Sequence, residues 1–114
     1  MRPLTILLLF ALTMPASAIT GNDYLSNMAG EERHLKAMTE GYLYGIANQY
    51  AFFGGGGSCP NLPDGVTVTQ KQKIVERFIA DHPDKTHLRL AVLVVMALDE
   101  AFGTVPFDED GFCP

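Results

Sequence analysis

Residues 90 to 98 read Leu-Ala-Val-Leu-Val-Val-Met-Ala-Leu, nine apolar residues without interruption. No turn signal falls between Asp84 and Phe102, so the spacing predicts one helix across that span rather than a short buried strand. Pro83 is suited to open the helix, Asp84 complements the dipole in its first turn, and Gly103 is a natural stop. A helix that is apolar on every side has to be surrounded by other elements to stay out of water. Most of what the chain can fold into follows from that requirement.

The surrounding elements also read as helices. Thr69 and Gln72 have capping-box spacing, and Ile74, Val75, Phe78 and Ile79 form an apolar face beyond them, with Lys71, Lys73, Glu76 and Arg77 opposite. Upstream, Leu35, Met38, Tyr42, Ile46 and Gln49 keep helical spacing behind Glu31 and Glu32 in a first turn. Gly41 and Gly45 lie on that helix, where each costs about 1 kcal/mol relative to alanine, so a close helix–helix approach is expected there. A short first helix, capped by Asn22 or Asp23, runs through Tyr24, Leu25 and Met28. The glycines and prolines of residues 54–65 permit only a loop. Thr104 to Pro114, with the acidic triplet Asp108-Glu109-Asp110, reads as an irregular tail. The expected fold is all-α, a compact bundle of about four helices in one domain, with a long Gly/Pro loop and one disulfide.

Two cysteines set the compartment. Residues 1–18 have the form of a signal peptide: Arg2, the apolar run Leu4–Met14, then Pro15 and the small-x-small site Ala16-Ser17-Ala18. The run is short for a membrane span, which wants about 20 residues. Cleavage after Ala18 leaves residues 19–114 as an exported chain with no membrane association, and Cys59 and Cys113 then pair, as two cysteines in an exported chain usually do. The alternative is a pair of free thiols. The remaining chain carries seven lysines and arginines against thirteen carboxylates, net −6 after Arg2 is removed. That balance disfavours nucleic acid and anionic lipid and suits a basic protein partner.

Catalytic and metal-binding patterns are sparse. Cys59 with His82 or His87 is the one pairing that suggests a nucleophile, and a cysteine–proline in the loop of an exported protein is more often half a bridge. His34, His82 and His87 lack metal-ligand spacing. Asp99-Glu100 reads as ordinary solvated helix surface. No cofactor, metal or catalytic residue is expected. The candidates for partner contact are the glycine loop, Gly55, Gly56 and Ser58, and the acidic residues Asp108, Glu109 and Asp110.

An ordered set of residues resembles the Rap/Tai family of immunity proteins. It comprises Gly41-Tyr42-Leu43-Tyr44-Gly45, Cys59-Pro60, Val66-Thr67 with Gln70, Val75, His82-Pro83-Asp84, His87, Ala91, Leu93-Val94, Ala97-Leu98 and Ala101-Phe102. The resemblance implies a small helical periplasmic protein, often a homodimer, that binds and occludes a peptidoglycan amidase toxin delivered by type VI secretion. Two features depart from the family's pattern. A second cysteine pair is missing from the first two helices, where Met28 and Ala37-Met38-Thr39 stand, and residues 103–112 intervene before Cys113 as though a loop had been inserted. A small periplasmic acid-stress chaperone is the alternative that size, helicity and a single disulfide also suit.

Overall fold

The computed structural model describes residues 19–53 and 58–114, with residues 51–53 as backbone alone. The expected signal peptide and the candidates Gly55 and Gly56 lie outside the described residues. Four helices follow in order: α1 (Gly21–Ala29), α2 (Arg33–Phe53), α3 (Val68–Asp81) and α4 (Leu90–Phe102). A two-residue strand β1 (Cys59–Pro60) pairs antiparallel with β2 (Thr104–Val105) in the register Cys59↔Val105 and Pro60↔Thr104. The all-α expectation holds; α4, like α2, touches each of the other three helices, and it supplies more of the buried core than any other. Its Leu90, Leu93, Val94, Ala97 and Leu98 join Leu43, Ala47, Tyr50, Val75, Phe78 and Ile79 in a single core.

Helix α4 is shorter than its sequence suggests. It begins at Leu90, and residues 83–85 form a separate 3-10 turn. The cause lies at the other end of the chain. Gly21 and Asn22 donate to the carbonyls of Leu88 (2.9 Å) and Thr86 (2.7 Å), and Leu90 donates to the carbonyl of Ile19 (2.7 Å). An α-helix through residues 86–90 would need those same groups for its own ladder. Gly21 is required at this crossing, because a Cβ there would lie 2.7 Å from Leu93 Cδ1 and 2.8 Å from the Thr86 carbonyl oxygen.

Local chemistry shifts several other boundaries. Thr20, not Asn22 or Asp23, caps α1: its hydroxyl accepts the Asp23 amide at 3.1 Å, and the Asp23 carboxylate accepts the Thr20 amide at 3.0 Å. The capping box of α3 uses Thr67 and Gln70 instead of Thr69 and Gln72. Helix α2 starts at Arg33, so Glu31 and Glu32 precede it. It buries Thr39, Leu43, Ala47 and Tyr50, one residue round from the expected stripe, and leaves Met38 53 % exposed. Gly41 and Gly45 face open space, with nothing within 4 Å of a Cβ at either, so the expected close helix approach does not occur there.

Lys71 is the largest departure on α3. It shares the buried face with Val75 and Phe78 and is only 4 % exposed, and its ammonium donates to the Ala47 carbonyl of α2 at 3.5 Å. The position four residues before Val75 fixes that direction whatever side chain stands there. Two tyrosines join the helices through polar ends: Tyr24 donates to Glu76 Oε1 at 2.9 Å and Tyr50 donates to Asp99 Oδ1. Asp99 is therefore half-buried and bonded rather than freely solvated. Burial, then the adjacent carboxylate, holds each phenol well above its ordinary pKa of 10.0.

Candidate functional site

At the C-terminal end of α4 the chain is turned back and locked. Gly103 takes φ 77° and ψ −176°, a backbone state that is essentially restricted to glycine. Asn61 then secures the turn, donating from Nδ2 to the Phe102 carbonyl (3.2 Å) and from its amide to the Gly103 carbonyl (3.3 Å). Strand β2 runs beside β1, and Cys113 returns to bond Cys59 with the two Cα atoms 5.5 Å apart. The tail is thus ordered by a ladder as well as by the bridge, not irregular throughout. Cys59 is buried, whereas Cys113 lies at the surface.

Between the strand and Cys113 the chain forms a closed loop. Asp108 Oδ1 accepts the amides of Asp110 (3.0 Å) and Phe112 (2.8 Å), while the Asp108 amide donates to the Phe112 carbonyl (2.8 Å) and Gly111 to the Asp108 carbonyl (3.0 Å). Gly111 has φ 83°, which an L side chain adopts only with strain. Of the acidic triplet, Asp108 is therefore occupied in shaping the loop, and Glu109 and Asp110 make no side-chain bond among the described residues. All residues from Pro106 to Pro114 are exposed. Ser58 belongs to the same end of the molecule because it directly precedes Cys59. The sequence reading passed over Phe107 and Phe112, which are 43 % and 70 % exposed on this loop. The available signal was two phenylalanines in an acidic segment with no apolar periodicity.

A groove of about 360 Å3 lies between α3 and α4, lined by Ile74, Arg77, Phe78, Asp81, His82, Ala97, Glu100 and Ala101. His82 stacks on Phe78 with ring centroids 4.0 Å apart, and its Nδ1 lies 2.8 Å from the Phe78 carbonyl. It satisfies an orphan carbonyl at the end of α3. No side chain with an activated nucleophile lines this groove. The Cys59–His pairing is closed to nucleophilic chemistry in this structure, since the Cys59 sulfur is bonded to Cys113. Among the described residues no cluster of histidine, cysteine and carboxylate side chains could hold a metal ion, and no helix is long and apolar enough to cross a membrane.

The features that stand out from the helical body are a stiffened, exposed loop and a covalent bridge at its base, an arrangement suited to binding a macromolecule. Residues 20–103 match the family of Rap1a immunity proteins, and the chain belongs to that family. It is accordingly an immunity protein, whose partner is a cognate toxin. No curated protein and no solved structure matches it. The family match begins at the capping threonine of α1 and stops at the glycine that ends α4, so the loop after Gly103 lies beyond it.

Proposed function

We propose that this protein is a periplasmic immunity protein that binds a peptidoglycan amidase delivered by type VI secretion and covers its catalytic groove. The observation that carries this reading is the family match over residues 20–103, which takes in all four helices. The signal-peptide pattern of residues 1–18 and the single disulfide both suit an oxidising compartment outside the cytosol, where a toxin acting on the cell wall would have to be met. Protection comes from binding alone: the immunity protein contributes no reacting group, and its surface competes with the wall peptide for the enzyme's groove. The acidic balance of the processed chain, net −6 from seven lysines and arginines against thirteen carboxylates, would accelerate encounter with a basic toxin surface.

The test is co-expression in the periplasm with amidases encoded by neighbouring genes. The expected result is survival of cells that otherwise lyse, with protection lost when residues 1–18 are deleted and the protein is retained in the cytosol. Lysis in the presence of the protein, for every neighbouring amidase, would remove the amidase from this reading. Equal protection by the cytosolic form would remove the periplasm.

A further inference from the structure

We infer that the loop from Pro106 to Cys113 is the specificity element of this protein, a preorganised finger whose Phe107 and Phe112 enter an apolar pocket on the toxin while Glu109 and Asp110 meet basic residues at the pocket's rim. This rests on the immunity reading and goes beyond it by naming the surface and the chemistry it selects. Exposed phenylalanines are unfavourable in water, and here two stand on one short loop, Phe112 70 % and Phe107 43 % exposed. Aromatic side chains that fill partner pockets dominate binding energy at protein interfaces.

The loop is built to present them. The ladder of β1 with β2 fixes one end, the bond to Cys59 fixes the other, and the Asp108 carboxylate closes the turn between them. Ordering a segment before it meets its partner removes the cost of ordering it on binding. The carboxylates of Glu109 and Asp110 point to the sign of the partner's surface, since like charges brought together there would be repelled. They also argue against an anionic lipid surface as the occupant. The family match ends at residue 103, so the helical body is the part that matches the family and this loop lies outside the match.

The experiment uses the full processed chain and the purified amidase that it neutralises in cells, with binding measured by calorimetry. Phe107→Ser combined with Phe112→Ser is expected to weaken binding about a hundredfold or more, with an unchanged circular dichroism spectrum because neither ring is in the core. Glu109→Lys with Asp110→Lys is expected to weaken it about tenfold in 50 mM NaCl, and by less in 500 mM NaCl as salt screens the contact. Equal affinity of wild type and the phenylalanine variant for that amidase overturns the inference and leaves the immunity reading standing. If no neighbouring amidase is bound by the wild type, the amidase reading falls and this inference with it. Wild-type co-sedimentation with phosphatidylglycerol vesicles that the phenylalanine variant lacks would assign the loop to a membrane and overturn the inference as well.

Discussion

Helix α4 is fastened at both ends by short extended segments, and the two fastenings work by different physics. Ahead of Leu90, Thr20 pairs with Arg89 and the backbone of residues 19–22 crosses that of residues 86–90. Gly21 is buried there against Leu93 and Thr86, with no room for a methyl group. Beyond Phe102, Thr104 and Val105 pair with Pro60 and Cys59, but everything after Val105 is exposed. The first clasp is sealed by close packing against the core. The second has little apolar surface to exclude water and is closed by a covalent bond. A disulfide is found at the end of α4 where burial is least.

The largest effect should come from the covalent clasp. Replacing Cys113 by serine opens a loop of 54 residues' separation, which the chain-entropy treatment values at about 4 kcal/mol. Urea unfolding should show the midpoint falling accordingly. A loss below about 1 kcal/mol would mean that the β1–β2 ladder, not the bond, holds that end. The packed clasp should be nearly as sensitive to a single methyl. Gly21→Ala places a Cβ against backbone that cannot move aside, and about 3 kcal/mol of destabilisation is expected. An unchanged midpoint would show that the crossing is looser than its contacts imply.

Between the clasps, the two buried tyrosines give a smaller effect with a pH signature. Tyr24→Phe and Tyr50→Phe should each cost about 1 kcal/mol at neutral pH through the lost hydrogen bond. Both phenols are raised above 10.0 in the fold, by burial first and by Glu76 or Asp99 second. The unfolded chain therefore loses these protons first as pH rises through about 10, so the stability they confer is complete below that pH and declines above it. Unfolding followed from about pH 9 to 11 should show that decline in the wild type, and a flatter profile in the double phenylalanine variant.

The smallest effects compare the same chemistry at the two clasps. Thr20→Ala removes the capping box of α1 next to the core and should cost about 1 kcal/mol of global stability. Asp108→Ala removes a side-chain acceptor of two amides in the exposed loop and should leave global stability within about 0.5 kcal/mol. Its consequence is local: the Asp110 and Phe112 amides should exchange with deuterium much faster, while core amides stay unchanged. Global loss from Asp108→Ala would show that the loop is coupled to the bundle more tightly than its exposure suggests.

Residue patterns carried the architecture further than the contacts. The apolar run of residues 90–98, the amphipathic face of Val75, Phe78 and Ile79, and the pairing of Cys59 with Cys113 all read directly, because periodicity and cysteine count report burial without reference to a partner. The start of α4 did not, because it is set by hydrogen bonds from residues 19–22, some seventy positions earlier in the chain. The buried stripe of α2 was shifted by one residue because Thr39, satisfied by Asn27 and by the Leu35 carbonyl, looks polar in sequence while it is fully buried. Lys71 was misplaced for the same reason. At the candidate site the acidic residues were visible as charge, yet only the geometry separates Asp108, which shapes the loop, from Glu109 and Asp110, which do not.

The opposed placement of the two clasps fixes where attachments can be made. Thirteen helical residues separate them, a span of roughly 20 Å at 1.5 Å per residue, so the first turn of α1 emerges at one pole of the helix axis and the aromatic loop at the other. A fluorophore or affinity tag joined ahead of residue 19 would stand well away from Phe107 and Phe112. The same group joined to Pro114 would crowd them directly, because its neighbour Cys113 is pinned at the base of the loop.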